Sequence, residues 1–197
     1  MSTRVDQIAA TRARILDAVF AVVADGSVRE ASMDSIATRA GVTRVTLYRT
    51  FGSKQALLEG FVLHALAQSG LDRVDAAHVH PDVRTAVREV LRANCQMFAG
   101  LGGAMPFALE LARSDAEMRA FIDATYHGRR HRAMDALAAR VVKERAAAPG
   151  WTRARIADSL LVLSSYEAFE TLVEHRRCSI NKAANSLYGL ATSFLAD

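Results

Sequence analysis

The sequence predicts an all-α protein. Three observations carry that expectation. Of its 197 residues 51% are hydrophobic while only three are proline, so little of the chain is barred from a helix. Apolar residues recur three and four positions apart along most of the sequence. Ser, Thr and Gly stand repeatedly at the points where that periodicity starts and stops, which is how helix ends are written in sequence.

In chain order, the first amphipathic helix is expected from Gln7 to Ala24, with Ile15, Leu16, Val19, Phe20 and Val23 on its apolar face and Asp25-Gly26-Ser27 as its stop. The leading Ser2-Thr3-Arg4 reads as a frayed terminus, with an arm that reaches a minor groove as the alternative. Ser32 then caps a short helix whose first turn holds Asp34 and whose inner face is Ile36, Ala37 and Ala40. Gly41 ends it where a left-handed residue is needed, and Val42 is placed to plug the angle before the next helix. Thr43 caps that helix. Leu47 and Phe51, four apart, point inward, whereas Val45, Thr46 and Arg49 project away and Tyr48 and Thr50 lie on the flanks. Gly52-Ser53-Lys54 opens a further helix to about Ser69, with Leu57, Leu58, Phe61, Val62, Ala65 and Leu66 inward.

Residues 32–57 thus have the layout of a helix-turn-helix. Arg44 occupies the first turn of the second helix, the part that enters deepest into a DNA major groove. An arginine there bonds guanine O6 and N7 bidentately, and a Val or Thr methyl meets the thymine methyl. Tyr48 and Thr50 suit phosphate oxygens, which position without reading sequence. Lys54, with the free N–H groups of the helix it begins, suits another phosphate. The expected DNA contacts are therefore Ser32, Thr43, Arg44, Val45, Thr46, Tyr48, Arg49, Thr50 and Lys54. Charge agrees. Residues 1–54 hold eight Lys/Arg against five Asp/Glu, so most of the net charge of +4 sits in this quarter of the chain.

At Gly41-Val42-Thr43-Arg44-Val45-Thr46-Leu47-Tyr48-Arg49-Thr50-Phe51-Gly52-Ser53-Lys54 the sequence resembles the N-terminal domain of TetR-family transcriptional repressors. One position departs from the family pattern: Thr50 stands where the family often has His. The resemblance implies an N-terminal three-helix DNA-binding domain over residues 1–54 and a C-terminal helical domain over residues 55–197 that binds an effector and dimerises. It implies a dimeric repressor that binds palindromic double-stranded operator DNA and is released by a small, largely apolar ligand. An activator on the same scaffold, or a regulator without a small-molecule effector, is the alternative.

Past Lys54 a loop is expected from Gly70 to His80, then a helix from Pro81 to about Phe98, a flexible break at Gly100-Leu101-Gly102-Gly103, and a short helix from Pro106 to Arg113. Ser114 is expected to cap a long helix reaching Ala147. Pro149-Gly150 separates it from a helix over Thr152–Arg177, and Ser179 caps the last one, Asn181–Leu195. The helices at 152–177 and 181–195 are apolar on more than one side, so each needs more than one partner. They are the expected homodimer surface. Met97, Phe98, Met105, Phe107, Phe121, Tyr126, Tyr166 and Phe169 are the candidate effector pocket, with Glu110, Tyr126 and His127 as polar anchors.

Other function classes fare poorly. His127 and His131 are four apart, but Arg129 and Arg130 between them would repel a cation, so no metal site is expected. No catalytic motif is present, and no cofactor is expected. Cys95 and Cys178 do not make a disulfide framework, which suits a reduced cytoplasm. No apolar run approaches the ~20 residues of a membrane span.

Overall fold

The computed structural model describes residues 4–24 and 32–196, excepting the side chains of Arg4 and Ala24. The Ser2-Thr3 arm and the Asp25-Gly26-Ser27 stop fall outside the described residues. Among the described residues the chain is helical, without strands. One isolated antiparallel bridge joins Ala147 to Leu195.

The helices are α1 Arg4–Ala24, α2 Met33–Arg39, α3 Arg44–Phe51, α4 Lys54–Gln68, α5 Leu71–His78, α6 Val83–Leu101, α7 Ala104–Ser114 and α8 Ala116–Ile122. A π-helical turn, Asp123–His127, leads into α9 Gly128–Lys143. Then come α10 Arg153–Leu163, α11 Tyr166–Glu170, a second π-helical turn at Thr171–His175, and α12 Ile180–Ala191 followed by a 3₁₀ turn, Thr192–Phe194. They pack into two compact units, one of Met1–Leu66 with Leu101–Ile122, the other of Ala67–Gly100 with Asp123–Asp197.

In the first unit α1, α2, α3 and most of α4 share a core with α7 and α8. Ile15, Leu47, Leu57, Phe61 and Met118 are fully buried there. Phe61 lies at its centre, its ring 6.3 Å from Phe20 and 5.7 Å from Phe107. Burying a side chain of this size contributes about 1.5–3 kcal/mol. At the edge of this core Gly60 matters for room. A Cβ there would stand 3.2 Å from both Arg12 Nη2 and Phe51 Cε1.

The second unit holds α5, α6, α9, α10, α11 and α12 around Val87, Leu91, Met97, Phe98, Leu137, Val141, Leu160 and Phe194. Arg140 ties the α5–α6 connection. It donates to the carbonyls of His78 at 2.7 Å, His80 at 2.9 Å and Pro81 at 3.3 Å, and to Glu144 at 3.1 Å. Those carbonyls follow a helix end and have no partner within it. At the chain's other end, Ala148 donates to the Phe194 carbonyl at 2.9 Å, Ala196 to Ala146 at 2.8 Å, and Trp151 packs edge-on to Phe194 at 5.7 Å.

Several expected boundaries move, each for a physical reason. The loop expected at Gly70–His80 is largely α5, opened by Gly70 at φ +83° and buried through Val74 and Ala77. The helix expected from Pro81 starts at Val83. Asp82 provides its cap, accepting the Thr85 N–H at 2.7 Å. The glycine-rich break narrows to Gly102-Gly103, because α6 runs through Leu101 and α7 begins at Ala104. Asp115, not Ser114, caps the next helix, accepting from the N–H groups of Glu117 at 2.8 Å and Met118 at 3.0 Å. That helix passes through a π turn at 123–127. A Cβ at Gly128 would meet the Asp123 carbonyl oxygen at 3.0 Å, so the widened turn wants glycine. The helix ends at Lys143, not Ala147, with Arg145 at φ +57°.

The helix expected over Thr152–Arg177 is broken at Ser164-Ser165. Ser165 turns extended and accepts the Ala168 N–H at 3.1 Å, so a serine competes for the backbone in mid-helix. The last helix stops at Ala191 before its 3₁₀ turn, and Leu195 is extended.

Candidate nucleic-acid interface

Hydrogen bonds at both ends fix α2 and α3. Ser32 Oγ accepts from the Ser35 N–H at 3.0 Å, and Thr43 Oγ1 accepts from the Thr46 N–H at 3.1 Å. At the turn, Gly41 donates to the Thr38 carbonyl at 3.1 Å and Val42 to Ala37 at 3.0 Å, with Gly41 at φ +63°. This paired closure is the Schellman arrangement, and it consumes two carbonyls left open at the C-terminus of α2. Leu47 and Phe51 are buried, so α3 is held from its inner side.

The opposite face of α3 carries exposed side chains. Val45 is 76% exposed. Arg44, Tyr48 and Arg49 are exposed, and Thr46 and Thr50 are half-buried. Thr50 Oγ1 donates to the Thr46 carbonyl at 2.8 Å, and Thr43 Oγ1 lies 3.0 Å from Thr46 Oγ1. Arg44 is organised before any partner arrives. Its Nη1 lies 2.7 Å from Asp34 Oδ2, and its guanidinium sits over the Tyr48 ring, 5.5 Å from the centroid. The Tyr48 hydroxyl and then the Asp34 charge raise the Arg44 pKa above its ordinary value, so the group remains a cation. The Asp34 partnership is the functional feature that sequence reasoning missed. Asp34 read only as a first-turn acid, and nothing local pairs residues ten apart across a turn.

Lys54 is exposed as the first residue of α4. Gly52 at φ +78° brings the chain round, and Ser53 Oγ accepts the Ala56 N–H at 3.0 Å. The nine expected contact residues thus fall on one stretch of helix-turn-helix and its following helix start, with the cationic groups exposed.

The residues expected to bind an effector divide between the units. Met105, Phe107, Glu110 and Phe121 belong to the first. Phe107 packs on Phe61, and Glu110 is exposed beside Arg113, 3.0 Å away. Met97, Phe98, Tyr126, His127, Tyr166 and Phe169 belong to the second. There Phe98 meets Tyr166 at 5.5 Å and Phe169 at 5.6 Å, and the Tyr126 and His127 rings are 5.1 Å apart. Burial pushes the Tyr126 phenol up to about 12. Burial also lowers the His127 pKa, outweighing the nearby Asp123 charge. Among the described residues no group of three or more His, Cys, Asp or Glu is placed to hold a metal ion. No helix there is long and apolar enough to cross a membrane.

A second surface lies where α10 meets α12. Val162 is 66% and Leu190 62% exposed. They line an open groove of about 390 Å³ with Asp158, Ser159, Leu163, Ser193 and Phe194.

Comparison with known proteins bears on these features. Residues 15–61 match the family described as bacterial regulatory proteins, tetR family. No curated protein matches the chain. Among solved structures, the chain is similar to the transcriptional regulator FadR from Bacillus subtilis, solved in complex with stearoyl-CoA. The identity is 20%, 91% of this chain and 97% of that one are covered, and the TM-score is 0.74. It is similar to the TetR-family regulator PfmR from Thermus thermophilus at 19% identity, with 93% and 100% covered and a TM-score of 0.74. A TetR-family regulator from Rhodococcus sp. matches at 15% identity, with 94% and 98% covered and a TM-score of 0.73. Residues 15–61 match the tetR family of bacterial regulatory proteins, and the chain as a whole has the fold of solved TetR-family transcriptional regulators.

Proposed function

We propose that this chain is a dimeric transcriptional repressor that reads a palindromic operator through α3 and is released by a small, largely apolar effector. The observation that carries the reading is the outer face of α3. Its backbone is capped and buried on one side, and Arg44, Val45, Tyr48 and Arg49 stand exposed on the other. Arg44 and Arg49 read base edges, Val45 and Thr46 supply methyl contacts, and Tyr48, Thr50 and Lys54 hold phosphates. Thr43 and Ser32 act through their caps and lie beside the backbone of the bound duplex.

One helix of eight residues reads only a few base pairs, so a twofold pair of subunits is needed for a specific site. The exposed Val162 and Leu190 supply the apolar surface for that pairing through α10 and α12. An effector acts by linkage. It prefers a conformation in which the two recognition helices are wrongly spaced, and a coupling of about 1–3 kcal/mol changes DNA affinity roughly 5- to 150-fold.

Fluorescence anisotropy on the DNA flanking the protein's own gene, over a salt series, tests the reading. Tight binding to a palindrome, steep in salt and abolished in an Arg44→Ala/Tyr48→Ala variant, is expected. Lys54→Ala should weaken all sequences alike and flatten the salt slope by about one. Binding that is equal for every sequence and for the double variant, after selection from random DNA as well, refutes it.

A further inference from the structure

The second unit contains a polar defect whose chemistry specifies a ligand. At the end of α10 the Ser164 N–H bonds the Leu160 carbonyl at 2.9 Å, and the Ser165 N–H turns to Val162 at 3.2 Å. The Leu161 carbonyl is thereby released from the helix, and the Arg130 guanidinium donates to it. That contact brings α9 to the break. Among the described residues it leaves Arg130 Nε buried with no hydrogen-bond partner, and Ser164 Oγ is in the same condition. Ser164 is 1% exposed.

Buried polar atoms are almost always paired, so two unpaired ones beside the same helix break are a demand for a partner. The demand has a sign. A guanidinium Nε offers only a donor, and a serine hydroxyl donates readily to an oxygen. Among the described residues Arg130 forms no ion pair, although the acids Glu167 and Asp123 stand near its neighbours Tyr126 and His127. Tyr126 stands close enough to Arg130 for the guanidinium charge to act on its phenol, and Tyr166 follows Ser164 by two residues. Tyr166 continues into the ring cluster with Phe98 and Phe169.

We propose that this break is the receptor for the carboxylate of a small apolar acid, whose oxygens accept from Arg130 Nε and Ser164 Oγ while its apolar body lies toward Phe98, Tyr166 and Phe169. The inference rests on the effector reading above and narrows it from an apolar compound to an apolar organic acid. A cation is excluded by Arg130. A neutral alcohol leaves the guanidinium charge unmatched.

Calorimetric titration of the full-length protein with decanoate and 4-phenylbutanoate, each beside the alcohol of the same skeleton, tests the assignment. At least one acid should bind about tenfold or more tighter than its alcohol. Arg130→Met should remove that preference while retaining alcohol binding. Because Arg130 also holds the Leu161 carbonyl, Ser164→Ala is the second variant. It removes only the unpartnered hydroxyl, and it should reduce the preference severalfold in a protein that melts as the parent does. Equal binding of acid and alcohol, binding of neither acid, or a preference that survives both substitutions overturns the proposal. Anisotropy on the same preparations separates the two readings. Operator binding that persists while no acid binds leaves the DNA-reading function standing, and loss of specific DNA binding by the parent protein removes that function instead.

Discussion

Replacing Gly41 with alanine should cost the protein about 0.8 kcal/mol, and the size of that loss tests how the turn between α2 and α3 is made. Gly41 has φ +63°, and a Cβ built there meets nothing within 4 Å. The penalty is therefore conformational rather than steric. An L-residue in the left-handed region costs about 1–2 kcal/mol. Alanine returns about 0.4–1 kcal/mol by restricting the unfolded chain. With a urea dependence of about 2 kcal/mol per molar, the unfolding midpoint should fall by roughly 0.4 M. Asparagine tolerates this region better, so Gly41→Asn should lie between the parent and Gly41→Ala. Urea titration by circular dichroism reads all three proteins. An alanine variant as stable as the parent, or an asparagine variant less stable than alanine, would refute the argument, because either result means that backbone conformation does not set the cost. Folded Gly41→Ala should still bind DNA with the parent's salt slope, since its phosphate contacts are untouched.

Phe61→Ala removes a fully buried ring packed between Phe20 and Phe107 and should cost about 3–5 kcal/mol in the same titration; less than about 2 would mean that this core collapses to fill the space. Arg145 ends α9 at φ +57° with the same pair of hydrogen bonds seen at Gly41, to Val142 at 3.1 Å and, through Ala146, to Val141 at 2.9 Å, so Arg145→Gly should raise stability by about 0.5–1 kcal/mol, and a lower midpoint would count against the strain. Burial pushes the Cys95 thiol from an ordinary 9.0 to about 11, so at pH 8 a thiol reagent should label half-buried Cys178 well before Cys95, and equal rates would contradict it. Because the folded pKa lies above the unfolded one, the stability tied to the neutral Cys95 thiol is fully present below pH 9.0 and is lost as pH rises through about 11.

The helix-turn-helix was legible because its signals are local. Ser32, Thr43 and Ser53 each cap within three residues, and Gly41 announces a backbone angle that few other residues adopt. The same is true of Ser179 as a cap. What stayed hidden lacked such a signal. Helix α5 has only Val74 and Ala77 to bury, too short a stripe to stand out. Apolar spacing runs unbroken across Ser164-Ser165, so periodicity reads one long helix there and does not mark the break. The π turns at 123–127 and 171–175 shift register without changing composition. The Arg44–Asp34 pair and the Arg130–Leu161 contact depend on how separate helices meet, which periodicity along one helix does not encode.

The first unit is not a continuous stretch of chain: it takes Met1–Leu66 and then, after a segment that belongs elsewhere, Leu101–Ile122. A ribosome therefore delivers the helix-turn-helix before it delivers the helices that complete its core. At about 5–20 residues per second, Phe61 waits several seconds for Phe107. During that interval the nascent segment has an apolar face with no cover, a natural target for chaperones and proteases. Excising residues 1–66 as a minimal DNA-binding fragment would make that interval permanent.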